Sequence, residues 1–149
     1  MTIIRTKNII KYLILFGIGG IIYYLIECAF HLVTTGEAYS HWTMIITGGI
    51  AFLACGVINE FFTWKIPFWN QCLIGAIIIT TIEFIVGCIV NLLLEWDVWD
   101  YSGVFGNVLG QICLPFSLIW VLLSGVAIIV DDYLRYFLFN EEKPKYRIK

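Results

Sequence analysis

Apolar residues run together along this chain in long blocks and do not alternate with polar ones. Four blocks, at residues 10–30, 42–62, 72–94 and 104–130, are long enough to form helices across a bilayer. Such a helix needs about 20 mostly apolar residues to cross roughly 30 Å of hydrocarbon. Transmembrane strands would alternate over about ten residues, which the run 74–79 does not do. The pattern predicts an all-α polytopic membrane protein, a bundle of four transmembrane helices.

Composition identifies lipid as the solvent of this chain. Hydrophobic residues make up 60% of its 149 residues and charged residues only 13%, whereas soluble domains average about 45–50% and about 25%. A soluble domain of this size could not bury that much apolar surface in one core. We expect a single transmembrane domain over residues 1–149, multi-pass in the lipid bilayer of the plasma membrane. Nothing in the sequence indicates a cofactor or a nucleic-acid partner.

Basic residues predict how the helices are oriented, because Lys and Arg near the ends of spans stay in the cytoplasm. Between Lys11 and Arg135 the only basic residue is Lys65, in the connection between the second and third blocks. The remaining basic residues precede the first block or follow the last. We therefore predict that both ends are inside (N-in/C-in), with residues 131–149 as a short cytoplasmic tail.

Small residues and a proline are expected to shape the helices. Gly106 and Gly110 form a small-x-x-x-small pattern that lets helix backbones approach closely. Pro115 lies inside the fourth block, where it should kink the helix. The five cysteines form no C-x-x-C pair and are interpreted as small hydrophobic residues.

Acidic side chains at membrane depth are the main functional clue, because they are costly there and usually face a protein interior or water. Glu83 lies near the middle of the third block, with no Lys or Arg in the sequence at comparable depth. It is therefore expected to be protonated, bonded to neutral partners, bound to a cation, or wetted by a cavity. By contrast, Glu60 is interpreted as snorkelling towards water, and Asp131 and Asp132 as an interfacial stop.

A polar cluster is predicted under the outer surface. Glu27 lies about one turn from the outer end of the first block, and the predicted topology places several loop and helix residues in the same outer third. The candidates for binding a ligand or ion are Glu27, Glu83, Asn91, Asp100, Tyr101, Ser102, Asn107 and Gln111. The alternative is a hydrogen-bonded knot that only holds the helices together. We predict no catalytic residues; Glu27 and His31, spaced i,i+4, are the candidates for metal ligands.

One stretch of the sequence carries a family resemblance. The run Trp99-Asp100-Tyr101-Ser102, then Asn107 and Gly110, and later Trp120, resembles the signature of the ABC-transporter type IV (CmpB-like) family. The resemblance implies a transporter-related membrane protein in which Glu27 and Glu83 match two acidic positions of the family. It also implies that the signature opens the last helix. Asp100 and Ser102 are good capping residues, so we predict that they cap the free N–H groups at its start. Gln111 stands where the family often has a basic residue.

Three functions follow from these observations. The first is a transport or permease-like component that binds a cation or small polar solute in an outward-facing acidic cavity. Since four spans are few for a complete permease, this function implies a homo-oligomer or a partner membrane subunit. The second is a non-catalytic scaffold or regulatory subunit, and the third is a membrane-embedded enzyme acting on a lipid-linked substrate.

Overall fold

The structure of the chain is a computed structural model that describes residues 2–62 and 64–148. Its helices are α1 (Thr2–Thr35), α2 (Thr43–Gly56), α3 (Ile58–Phe62), α4 (Phe68–Gly87) and α5 (Leu114–Phe139). A π-helical segment, Cys88–Leu93, directly continues α4. Four helical segments are long and apolar enough to span a membrane: Asn8–Thr35, Thr43–Phe62, Phe68–Leu93 and Leu114–Phe139. The predicted all-α bundle of four membrane-length helices is confirmed.

The bundle consists of two tightly packed helix pairs. α1 packs mainly on α2, and α4 packs mainly on α5, while α2 also touches both α4 and α5. In the first pair, a Cβ at Gly20 would lie 2.3 Å from the carbonyl oxygen of Ile45, and one at Gly48 would lie 2.2 Å from the Tyr23 side chain. Only glycine allows so close an approach of two helices.

The core lies where the two pairs meet, and the outer faces are apolar. Cys55, Ile79, Trp120 and Ile128 are among the buried residues of this core. Large apolar side chains on every membrane-length helix remain exposed in the isolated chain, for example Leu13 at 64% and Leu122 at 65%. An apolar surface of this extent is suited to contact with lipid chains.

The fourth helix differs from its prediction in both position and shape. It begins at Leu114, not at residue 104, and it continues to Phe139, beyond the predicted end at residue 130. Residues 104–113 form a loop, because Gly106, Leu109 and Gly110 have positive φ values of 67°, 52° and 69°. A right-handed helix cannot contain these angles. The predicted small-x-x-x-small packing motif is therefore wrong: Gly106 and Gly110 are turn residues.

Pro115 also has a different role from the predicted one. It occupies the first turn of α5, where backbone N–H groups have no intrahelical partner and a proline costs nothing. It therefore starts the helix and does not kink it. The two ends of the bundle are named here by the predicted topology. The outer end carries residues 36–42 and 94–113, and the inner end carries residues 57–62, 64–67 and 140–148.

Candidate functional site

A polar cavity of about 210 Å³ opens at the outer end of the bundle. Its walls come from α1, α2, α4, α5 and the loops 36–42 and 94–113. Three carboxylates line it, those of Glu27, Glu83 and Asp97, together with two imidazoles, of His31 and His41. Seven aromatic side chains also line it: Tyr23, Phe30, Tyr39, Trp96, Trp99, Tyr101 and Phe116. The cavity is therefore acidic and aromatic, and no Lys or Arg is among its described lining residues.

Glu83 forms the floor of this cavity. Its side chain is 5% exposed, and its Oε2 accepts a hydrogen bond of 2.8 Å from the indole Nε1 of Trp120 on α5. An indole N–H is a neutral donor, so this contact satisfies one lone pair without neutralising a charge. Within the described residues no hydrogen-bond partner is found for Oε1, and Glu83 is among the residues that line the cavity.

Glu27 lies on α1, one turn above Tyr23 and one turn below His31. The nearest approach of the Glu27 carboxylate to the His31 imidazole is 4.0 Å, between Oε2 and Nε2. Both side chains are partly exposed, at 23% and 38%, so they form the rim of the cavity. In the described part of the chain no three His, Cys, Asp or Glu side chains are grouped closely enough to hold a metal.

Tyr101, on the outer loop, lines the same cavity as the two glutamates. Its ring stacks on Phe116 with centroids 5.0 Å apart, and Phe116 contacts Phe30 edge to face at 5.7 Å. Burial, together with the neighbouring carboxylates of Glu83 and Glu27, raises the pKa of Tyr101 well above its ordinary value. The phenol of the signature thus stays protonated, close to both acids.

The rest of the signature folds the loop on which Tyr101 sits. Asp100 Oδ1 accepts hydrogen bonds from the backbone N–H and the hydroxyl of Ser102, at 2.8 and 2.5 Å. These bonds lower the pKa of Asp100. Asn107 donates to the carbonyl oxygens of Ser102 and Val104, at 3.1 and 3.0 Å. The predicted cap is therefore wrong: α5 begins after Cys113 without a side-chain cap, and Asp100 and Ser102 form an Asx turn.

The glycine of the signature is required by the same turn. A Cβ on Gly110 would lie 2.6 Å from both Asp100 Oδ1 and Ser102 Oγ, and its φ of +69° favours glycine in any case. The backbone N–H of Tyr101 donates to the carbonyl of Gly110 at 2.7 Å. The signature residues thus place Tyr101 over the cavity.

A second group of hydrogen bonds ties the loop to α4. Asn91 donates to Gln111 Oε1 at 2.8 Å and accepts from the Val98 N–H at 2.7 Å. The Trp99 indole donates to the carbonyl of Gln111 at 2.9 Å. Asn91 lies in the π-helical segment, a rare conformation that is frequent at functional sites. This knot holds the cavity wall in place.

The eight residues predicted to bind a ligand therefore fall into two groups. Glu27, Glu83 and Tyr101 line the cavity. The other five form the hydrogen bonds that fold and anchor the loop and are not among the lining residues: Asn91, Asp100, Ser102, Asn107 and Gln111. Residues that the sequence did not suggest complete the lining, mainly His41, Trp96 and Phe116. They come from three separate segments, so their convergence depends on the fold.

The inner end holds an ion network that the sequence analysis missed. Arg135, only 3% exposed, donates to Asp131 one turn earlier on α5 and to Glu60 on α3. Lys11 on α1 pairs with Glu141 at 2.7 Å and approaches Glu60 at 3.9 Å. Glu60 thus lies between two cations, and its side chain is still 40% exposed, so it pairs within the chain as well as facing water. The Asp131–Arg135 spacing of i,i+4 on one helix was the available signal.

The C-terminal segment covers this network at the inner end of the bundle. Asp132 accepts from Asn59 Nδ2 at 2.7 Å and from the Tyr146 hydroxyl at 2.8 Å. The Phe68 N–H donates to the carbonyl of Arg147 at 2.7 Å. Asp131 and Asp132 are 0% and 5% exposed, so the prediction of an interfacial stop is wrong. They are buried within α5, which continues for two more turns.

Four membrane-length helices and a polar cavity at one end define the chain as a multi-pass membrane protein. In comparison with known families, a family described as Putative ABC-transporter type IV matches residues 9–145. The chain therefore belongs to that family, as the resemblance of the signature had suggested. No match was found among curated proteins or among solved structures.

Proposed function

We propose that this protein is a membrane transport component that binds a small cationic solute in its outer cavity. The observation that carries the proposal is the convergence of Glu27 and Glu83, distant in sequence, on one cavity of about 210 Å³. A cavity needs only about 15 Å³ by this measure to hold one water. There is therefore room for a solute beside both carboxylates.

The charge balance of the lining favours a cation. Carboxylates at membrane depth need a compensating partner, and among the described residues the hydrogen-bond partner of the floor residue Glu83 is the neutral indole of Trp120. A cationic solute would supply the missing charge. Membership of a transporter-type family agrees with such a role.

Binding and flux measurements on the reconstituted chain test this function. The full chain in nanodiscs would be titrated with Na⁺, K⁺, Ca²⁺ and small organic amines, and the same cations would be followed into proteoliposomes. Glu83→Gln keeps the shape and the acceptor for Trp120 but removes the charge, so we expect binding and flux of the recognised cation to weaken at least about tenfold, or about 1.4 kcal/mol.

Glu95→Gln is the matched control, because Glu95 is an exposed acid of the same outer loop that is not among the lining residues. It should leave binding unchanged. The proposal fails if no cation of the panel binds, or if Glu83→Gln binds and transports it as the natural chain does.

The partner of this chain belongs to the same proposal. Four membrane-length helices are few for a complete permease, and the sequence contains no G-x-x-x-x-G-K-[ST] loop for ATP. We therefore propose that the chain works as a homo-oligomer or with a partner membrane subunit in the plasma membrane. Cross-linking in native membranes, followed by mass determination, distinguishes these assemblies.

One observation favours the alternative of a scaffold or regulatory subunit. Five of the eight candidate residues fold and anchor the outer loop, and Asn91, Gln111 and Trp99 form a continuous knot. For a scaffold, Asn107→Ala would lower stability and no cation of the panel would bind. For a transport component, the same variant would also weaken cation binding, because it loosens the loop that carries Tyr101.

A further inference from the structure

The outer cavity is lined by aromatic side chains as well as by carboxylates. Aromatic side chains outnumber the carboxylates and come from several elements: Tyr23 and Phe30 from α1, Trp96, Trp99 and Tyr101 from the loop, and Phe116 from α5. The aromatic face of a ring carries a negative electrostatic potential that attracts cations, most strongly for Trp. Carboxylates and aromatic faces together therefore offer two ways of binding positive charge.

The rings form two groups, and the second extends beyond the cavity lining to Trp42. Tyr101, Phe116 and Phe30 follow one another with centroid separations of 5.0 and 5.7 Å. The other group is formed by Trp96, His41 and Trp42, with Trp96 lying 5.8 Å from His41 and 5.9 Å from Trp42. Trp96 remains 46% exposed, so its ring is not fully covered by protein.

We propose that the solute is an alkylated ammonium ion, of the quaternary ammonium class, held by the Glu83 and Glu27 carboxylates and by the faces of the surrounding rings. This inference rests on the proposed function and specifies its substrate. A metal ion fits the same lining less well, because it requires several oxygen, nitrogen or sulfur ligands around one point. Within the described residues no such group of three acidic, His or Cys side chains exists.

Dehydration favours the same class of solute. A small metal ion must exchange its water shell for protein ligands, whereas the charge of a quaternary ammonium is spread over methyl groups that suit an aromatic wall. The exposed tyrosine Tyr39 and the imidazole of His41 at the cavity's edge complete a lining that is polar at the rim and apolar at the sides.

Equilibrium binding of radiolabelled choline to the full chain in nanodiscs tests the inference. Unlabelled tetramethylammonium should displace the choline, and the neutral isostere 3,3-dimethylbutan-1-ol should not. Trp96→Leu should weaken choline binding about two- to thirty-fold, the range of one cation–π contact. Trp69→Leu is the control, since Trp69 is 56% exposed at the start of α4, at the inner end, and does not line the cavity.

The outcomes separate this inference from the proposed function. If Na⁺, K⁺ or Ca²⁺ binds in a Glu83-dependent way and choline does not, the inference is overturned while the proposed function stands. If neither choline nor any cation of the panel binds, both are overturned. The inference is also overturned if the neutral isostere displaces choline equally well, or if Trp96→Leu binds choline like Trp69→Leu.

Discussion

The two ends of the bundle hold similar sets of acidic side chains in different ways. At the inner end, Glu60, Asp131 and Glu141 are paired with Arg135 or Lys11, and a further segment of chain covers the network. At the outer end, Glu27, Glu83 and Asp97 line a cavity without a Lys or Arg among its described lining residues. The other lining side chains include two histidines and seven aromatic residues, and Glu83 accepts from the indole N–H of Trp120.

This difference distinguishes acidic side chains that stabilise the fold from those that we propose bind a solute. A buried carboxylate that is paired and hydrogen-bonded within the chain contributes to one packed arrangement. A carboxylate left beside an open cavity keeps its capacity to bind, at a cost in stability that natural proteins tolerate at functional sites. The inner network therefore holds the helices together, and the outer cavity is the region that we propose binds a cation.

The largest expected effect comes from removing the cation of the inner network. Arg135→Met leaves Asp131 buried and without its charged partner, and breaking a buried pair in this way costs about 3–5 kcal/mol. We expect the free energy of unfolding, measured by SDS titration in mixed micelles, to fall by that amount. Glu83→Gln at the outer end should change it by no more than about 1 kcal/mol, because the Trp120 hydrogen bond survives.

A surface variant at the same end provides the control for this comparison. Arg147 is exposed, and its guanidinium donates only to the carbonyl of Lys65, at 3.3 Å. Arg147→Met should therefore leave the free energy of unfolding nearly unchanged. Equal losses for Arg135→Met and Glu83→Gln would remove the distinction between the two ends.

The sequence predicted the helices much better than it predicted these two ends. Long apolar runs are a local signal, and they were enough for four membrane-length helices. Hydropathy predicts helix over the loop 104–113 because Val104, Val108 and Leu109 are apolar. The backbone angles that break the helix depend on hydrogen bonds that the Asn107 side chain donates and the Asp100 side chain accepts. Hydropathy does not register such bonds.

The ion pairs between distant segments could not be predicted from the sequence, for a related reason. Glu60 and Arg135 are 75 positions apart, and Lys11 and Glu141 are 130 apart. No local pattern in the sequence joins them. Glu27 and Glu83 were noticed because a charged residue in an apolar run is itself a local anomaly. That anomaly could not indicate that Trp96 and His41 share their cavity.

A smaller effect is expected from one added methyl group at the inner end. A Cβ on Gly56 would lie 2.1 Å from Asp131 Oδ2 and 2.2 Å from its Cγ, so Gly56→Ala must displace a carboxylate that Arg135 holds. Overpacking of this kind costs about 1–3 kcal/mol. The same SDS titration should show this loss.

Gly17→Ala is the matched variant, since a Cβ there meets nothing within 4 Å. It should be neutral or stabilise the chain by up to about 1 kcal/mol through helix propensity. If Gly56→Ala behaves like Gly17→Ala, the inner network is loosely packed and the contrast with the open outer cavity weakens.

The smallest expected effect concerns the segment that closes the inner end. Tyr146→Phe removes the hydroxyl that donates to Asp132 at 2.8 Å but keeps the ring against Phe68 and Trp64. Loss of one such hydrogen bond costs about 1 kcal/mol. Tyr133→Phe is the control: Tyr133, on the same helix as Asp132, is 37% exposed, and the same change there should have little effect.

Raising the pH should change the stability difference between the natural chain and Tyr146→Phe in a definite direction. Burial and the Asp132 carboxylate raise the pKa of Tyr146 above its ordinary value, so the folded chain favours the neutral phenol. Its contribution is therefore complete below the unfolded pKa of about 10 and is lost as the pH rises through the folded pKa. The advantage of the natural chain over Tyr146→Phe should shrink above about pH 10; an advantage that grows with pH would mean that the hydroxyl does not serve Asp132 as a donor.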